Sequence, residues 1–195
     1  MKKMILLLLF GFVINAPLYS VVESITIRWV TIRCPDNCVK HLEKEFRKIQ
    51  GVDEIFIDQG SGQATLTWKE NMPFQFISVS TAMRIVGLSM REMRIRVSGL
   101  ISHRGNNFYI ISAGDNTSFE LLNPVIPYPQ GVTPEFNTSA RKITPALAQR
   151  LLEGQMLKQT ATVEGPVFMP ERKTVPTQLI VDSLDFQDTT DQQNN

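Results

Sequence analysis

Apolar residues recur along this chain with two different periods, and the switches between them predict the elements. From Glu23 to Arg33 the stretch ESITIRWVTIR alternates, with Ile25, Ile27, Trp29 and Thr31 on one side and Thr26, Arg28, Val30 and Ile32 on the other. That is a strand with one buried face. Spacings of three and four follow: Val39, Leu42, Phe46 and Ile49 form a stripe, with Lys40, Glu43, Lys44 and Arg47 facing out, which predicts an amphipathic helix. Gly51 is placed to end that helix in a left-handed conformation. The runs VDEIFID and QATLTWK alternate on either side of Gln59-Gly60-Ser61-Gly62, a hairpin signal. Pro73 suits a first helical turn, and Phe76, Val79, Met83 and Val86 make a second stripe before Gly87. A strand within Ser89–Val97 completes the series; it can close this unit, open the next, or serve both.

Beyond Met93 the pattern is all β until a single helix. Three strands are separated by Gly105-Asn106-Asn107 and Gly114-Asp115-Asn116. A proline-rich connection runs from Asn123 to Arg141. TPALAQRLLEG then reads as a short helix capped by Thr144, opened by Pro145 and closed by Gly154. QMLKQTATVEGPVF and TQLIVDSLDF read as two further strands around the turn MPERKT. The polar tail QDTTDQQNN, essentially 188–195, has nothing to bury and is expected to be disordered.

The first unit, residues 23–92, has the order β-α-β-β-α-β of a ferredoxin-like sandwich. Cysteines on the loop after its first strand, a helix, Gly51-Val52, the hairpin and Gly87-Leu88 together resemble a heavy-metal-associated domain, the family that includes copper chaperones. Cys38 stands thirteen positions before Gly51, as the second cysteine of that family does. The family motif is M-x-C-x-x-C, and this chain departs from it with Ile32-Arg33-Cys34-Pro35-Asp36-Asn37-Cys38, one residue longer between the thiols. The resemblance implies a soft-metal site at Cys34 and Cys38.

The residues themselves allow two chemistries there. With Pro35 at the first helical position and Cys34 as the N-cap, Cys38 would lie four residues on, on nearly the same face, with His41 and Glu45 on that flank. Thiolates at a helix start suit Cu(I), and Zn(II) after it, with His41 as a third ligand. The same spacing lets Cys34 and Cys38 close a local disulfide and hold no metal.

The second unit, residues 93–187, runs three strands, a helix-bearing connection and two strands, the element order of an OB-fold barrel. RVSGLI and ATVEGPVF resemble the V-x-G strands of bacterial OB-fold domains. The fold class expected is therefore α+β, a ferredoxin-like sandwich followed by an OB-like barrel with one short helix.

Composition narrows what such a chain could do. MKKMILLLLFGFVINAPLYS has two lysines and an apolar run from Met4 to Ile14, so residues 1–20 read as a signal peptide, removed or kept as an anchor. The chain is then exported, periplasmic or secreted. Its formal charge is +1, Lys2 and Lys3 contribute +2, and the remainder carries −1. Without a basic footprint, and with Arg94 and Arg96 as the one tight basic pair on the strands, nucleic acid is not an expected partner. Only two histidines occur, His41 and His103, too few for a multi-His centre. No nucleophile motif, phosphate loop or carboxylate pair is present, so a non-enzymatic protein is expected. The expectations are a soft-metal binder, or an envelope interaction protein with a Cys34–Cys38 disulfide whose partner is another envelope protein.

Overall fold

A computed structural model describes residues 22–30, 37–112, 114–124, 141–168 and 176–187. The leader at 1–20, Cys34 and Pro35, most of the proline-rich connection, the turn MPERKT and the tail at 188–195 lie outside the described residues. The first unit runs β1 (Val22–Trp29), α1 (Cys38–Phe46), β2 (Val52–Asp58), β3 (Gln63–Trp68), α2 (Phe76–Ile85) and β4 (Met90–Arg104). Its strands lie in the order β2-β3-β1-β4, antiparallel throughout. The alternation does the sorting. Ile25, Ile27 and Trp29, Ala64, Leu66 and Trp68, and Met93, Ile95 and Val97 are buried on one face, together with Leu42 and Phe46 of α1 and Val79 and Met83 of α2. Thr26, Arg28, Thr65, Arg94 and Arg96 point the other way and are half-buried or exposed.

The hairpin between β2 and β3 is held by one side chain. Asp58 accepts from the backbone N–H of Gly60 at 2.9 Å and from the Ser61 hydroxyl at 2.7 Å. Gly62 takes the left-handed conformation at φ 66°. The second helix closes as its sequence suggests: Gly87 stands at φ 78°, and the Leu88 N–H reaches back to the Met83 carbonyl at 3.0 Å. Gly51 differs from expectation, for it is not among the left-handed residues. A Cβ there would overlap the Trp68 indole, so the glycine serves close packing and not chain reversal.

Beyond β4 come β5 (Asn107–Ile111), β6 (Ser118–Leu122), α3 (Pro145–Met156), β7 (Thr160–Phe168), β8 (Thr177–Ile180) and β9 (Ser183–Phe186). Five strands close a barrel in the order β4-β5-β6-β8-β7 and back to β4, with β6 and β8 parallel and the other pairs antiparallel. Thr144 caps α3, its hydroxyl accepting from the Leu147 N–H, and Pro145 opens the helix. Gly154 does not close it. The helix continues to Met156, Lys158 takes the left-handed position at φ 53°, and Gly154 is buried where a Cβ would strike the Phe186 ring. The run TQLIVDSLDF is two strands: β8 lies between β6 and the end of β7, and β9 pairs with the start of β7. The V-x-G pattern has a steric cause. A Cβ on Gly99 would meet the Ile111 carbonyl oxygen, and one on Gly165 the Ile180 carbonyl oxygen, so these glycines let barrel strands cross in contact.

The two units share β4. Its 15 residues pair with β1 over Met90–Val97, with β7 over Arg94–Leu100 and with β5 over Leu100–Arg104. Val97 faces both Val22 and Val163, so β1 and β7 occupy opposite edges of the strand. The first sheet therefore continues through β4 into β7 and β9. Apolar packing is continuous as well, because residues of both units belong to one buried cluster. A chain of aromatic rings spans the join. Trp68, whose Nε1 donates to the Met72 carbonyl at 2.9 Å, stands edge-on to Phe74 at 5.6 Å, and Phe74 lies 6.1 Å from Phe119 of β6.

Two outcomes follow from the tight turns and crossings. Gly165→Ala places a methyl group against backbone rather than a movable side chain, and should cost roughly 1–3 kcal/mol or more. Gly60→Ala, which meets only the flexible Asp58 carboxylate, should stay within about 0.5 kcal/mol; urea unfolding of the two variants checks the order. The Ser61 hydroxyl, with the Ser61 and Gly60 amides, holds the Asp58 carboxyl below its ordinary value of 3.8. The stabilisation from a depressed carboxylate is present above the unfolded pKa and is lost as pH falls through the lower folded one. An NMR titration of Asp58 should give a midpoint below 3.8, and Ser61→Ala should raise it.

Candidate functional site

Helix α1 positions the thiol the sequence singles out. Cys38 is its first residue, and the stripe Cys38, Leu42, Phe46 at successive spacings of four is buried; Cys38 is only 3% exposed. The helix starts later than the proline suggests. Asn37 is the N-cap of the described helix, its carbonyl accepting from the His41 N–H at 3.1 Å; the arrangement with Cys34 as N-cap and Pro35 at the first helical position falls on residues outside the described ones. The Asn37 side chain makes no capping hydrogen bond. Cys38 is not a free thiol: it has a bonding partner. Cys34 lies outside the described residues.

His41 and Cys38 differ in exposure. His41 is exposed on the outer side of α1, whereas Cys38 points into the core. Glu45 is half-buried and engaged with Lys48 at 2.6 Å. Among the described residues, no three His, Cys, Asp or Glu side chains converge on a point that could hold a metal ion.

The second feature is a polar ladder across the open face of the shared sheet, where Arg94 and Arg96 are tied and not free. Arg94 pairs with Asp182 at 2.8 Å, and Arg96 with Glu23 at 2.8 Å and Glu164 at 3.4 Å. The hydrogen bond to Glu23 is the main reason the Arg96 guanidinium is held more firmly protonated than usual. The Ser98 hydroxyl donates to Glu23 and shares a 2.6 Å hydrogen bond with the buried Thr162 hydroxyl. Strands β1, β4 and β7 are thereby cross-linked where the two units meet. Exposed pairs of this kind contribute about 0.2–1 kcal/mol each; their main effect is to neutralise Arg94 and Arg96 on this face.

The surface of the described residues includes two hollows. One of about 310 Å³ lies beside the barrel between Asn106, Asn107, Glu120, Leu122 and Arg141. The Arg141 guanidinium stacks 4.6 Å above the Phe168 ring, and its Nε is shielded with no hydrogen-bond partner among the described residues. The other, about 340 Å³, lies over Trp68 between Ile49, Gly51 and Met72. Neither hollow carries a sequence signal, because each joins residues from separate turns. Among the described residues, no helix is long and apolar enough to cross a membrane.

No family model matches the chain. No curated protein matches it either. Among solved structures it is similar to the N-terminal domain of ZntA, a solution structure in the apo-form, with 15% sequence identity and a TM-score of 0.31, over 36% of this chain and 92% of that one.

Proposed function

We propose that this is an exported, non-enzymatic interaction protein of the cell envelope, built from a ferredoxin-like unit of the heavy-metal-associated type and an OB-like barrel, in which Cys34 and Cys38 form a local disulfide. The observation that carries the reading is the state of Cys38. It is bonded, and it is buried in the apolar stripe of α1, while His41 stands exposed outside it. Cys34 is the only other cysteine in the chain. The strand order β2-β3-β1-β4 supports the ferredoxin-like label, and the closed order β4-β5-β6-β8-β7, with a helix between its third and fourth strands, supports the OB-like one. The competing soft-metal role, Cu(I) or Zn(II) on Cys34 and Cys38 with help from His41, requires both thiols to be reduced and Cys38 to turn out of the core.

Thiol titration of protein purified without reductant, unfolded in guanidinium before labelling, separates the readings. The disulfide predicts no reactive thiol before reduction and two after it; two thiols at the outset would remove it. Native mass spectrometry of the reduced protein with Cu(I) is the complementary measurement. No uptake, or uptake unchanged in Cys38→Ser, is expected, and stoichiometric uptake abolished by that substitution would establish the metal role instead.

A further inference from the structure

The shared sheet ends in two strands, β2 on one side and β9 on the other. They are unequal. Strand β9 is four residues long, whereas β2 has seven, and among the described residues no strand pairs with its outer edge. A bulge between Val52 and Ile55 interrupts the start of β2, after which Ile55–Asp58 run in regular register with β3. Those residues present backbone groups in the geometry a further strand would use.

The side chains of this edge have a marked chemistry. Phe56 lies opposite Thr65, on the face turned away from the helices, and is 69% exposed. Glu54 and Asp58, two positions to either side, are exposed as well. Asp53 adds a third carboxylate, and β2 contains no basic residue. The ladder in the middle of the sheet matches its arginines with carboxylates, but among the described residues no Lys or Arg lies within ion-pair distance of Asp53, Glu54 or Asp58. The open face thus passes from charge-matched at its centre to unmatched acid at β2, with an aromatic ring between the carboxylates.

This pattern selects among occupants. A second copy of the chain, pairing antiparallel about Phe56, would set Glu54 of each copy against Asp58 of the other, and like charges directly opposite are destabilising. An added strand with basic side chains at alternate positions meets the carboxylates with opposite charge, and the Phe56 ring offers a surface for cations and apolar groups alike. We propose that the β2 edge binds an extended, basic segment of a partner protein as an additional antiparallel strand, with Glu54 and Asp58 facing its cations and Phe56 its central side chain. This rests on the reading of the chain as an interaction protein and names the chemistry of its partner.

The test is titration of the full ¹⁵N-labelled chain with a seven-residue peptide alternating lysine and valine, followed by backbone amide shifts. Shifts confined to β2 and the adjoining β3 are expected, with affinity that falls as salt is raised. Glu54→Lys should bind about tenfold more weakly, and Phe56→Ser should weaken binding while the spectrum stays dispersed. Both positions are exposed, so either variant alone can report if the other fails to fold. Shifts centred elsewhere, no binding, equal binding of a peptide with glutamate in place of lysine, or self-association through β2 would each overturn the proposal. None of these outcomes depends on the redox state of Cys38, which the thiol titration reads separately.

Discussion

Both edges of β4 are committed to backbone hydrogen bonding over the same few residues, with β1 along one side and β7 along the other. A strand in that position cannot twist or slip for one unit without disturbing the other, because a one-residue slip would turn every side chain to the opposite face. Met93, Ile95 and Val97 would leave the core, and Arg94 and Arg96 would enter it. The demands of the two units meet at Gly99. Below it the strand carries the three alternating buried residues Met93, Ile95 and Val97, and at Gly99 it must pass against the Ile111 carbonyl, which a side chain would prevent. The polar ladder reinforces the same register on the open face. Glu23, Arg96, Ser98, Thr162 and Glu164 can meet only when β1, β4 and β7 are aligned as they are.

Local signals in the sequence reach as far as local physics does. Alternation identifies β1, β3 and the first half of β4 because each has one face against helices. The caps at Thr144 and Gly87 are equally local, and they hold. Gly51 and Gly154 are misread for a common reason. A glycine near the end of an apolar stripe looks like a terminator, yet here each faces an aromatic ring supplied from elsewhere in the chain, Trp68 in one case and Phe186 in the other. The split of TQLIVDSLDF into two strands depends on which partner each half finds, and a partner more than fifty residues away leaves no local mark. The same holds for the continuity of β4, for which the pattern admits three assignments and the pairing selects one.

The cysteine site was legible in place but not in state. Its position between β1 and α1 follows from the periodicity. Whether Cys38 faces solvent or core depends on the helix phase, and the sequence does carry that information: Cys38 is in step with Leu42 and Phe46, four and eight residues on. The proline draws attention to an earlier helix start, which would put both thiols on one turn. With Asn37 as N-cap, the helix is nine residues long, too short to persist without tertiary contacts. Cys38 is the first of the contacts that hold it.

That position gives the thiol a mechanical role whatever its history. A metal-binding cysteine must present its sulfur to a ligand that arrives and leaves, and so needs exposure and freedom to rotate. A sulfur packed beneath a helix start gains apolar contacts, and moving it out would open a void in the buried cluster that Cys38 shares with Leu42. The Asn37 side chain supplies no cap, and the first turn of α1 is anchored from below, through Cys38. Binding a metal there would have to offset the loss of that anchor, leaving α1 to Leu42 and Phe46 on its core side and to the exposed pairs Arg47–Glu43 and Lys48–Glu45 on its outer side. The same reasoning separates the two ends of the first unit. Its core side is closed by α1 and α2, and its inner edge by the barrel. Among the described residues the outer edge of β2 carries no further strand, so the described packing leaves that edge of the unit open.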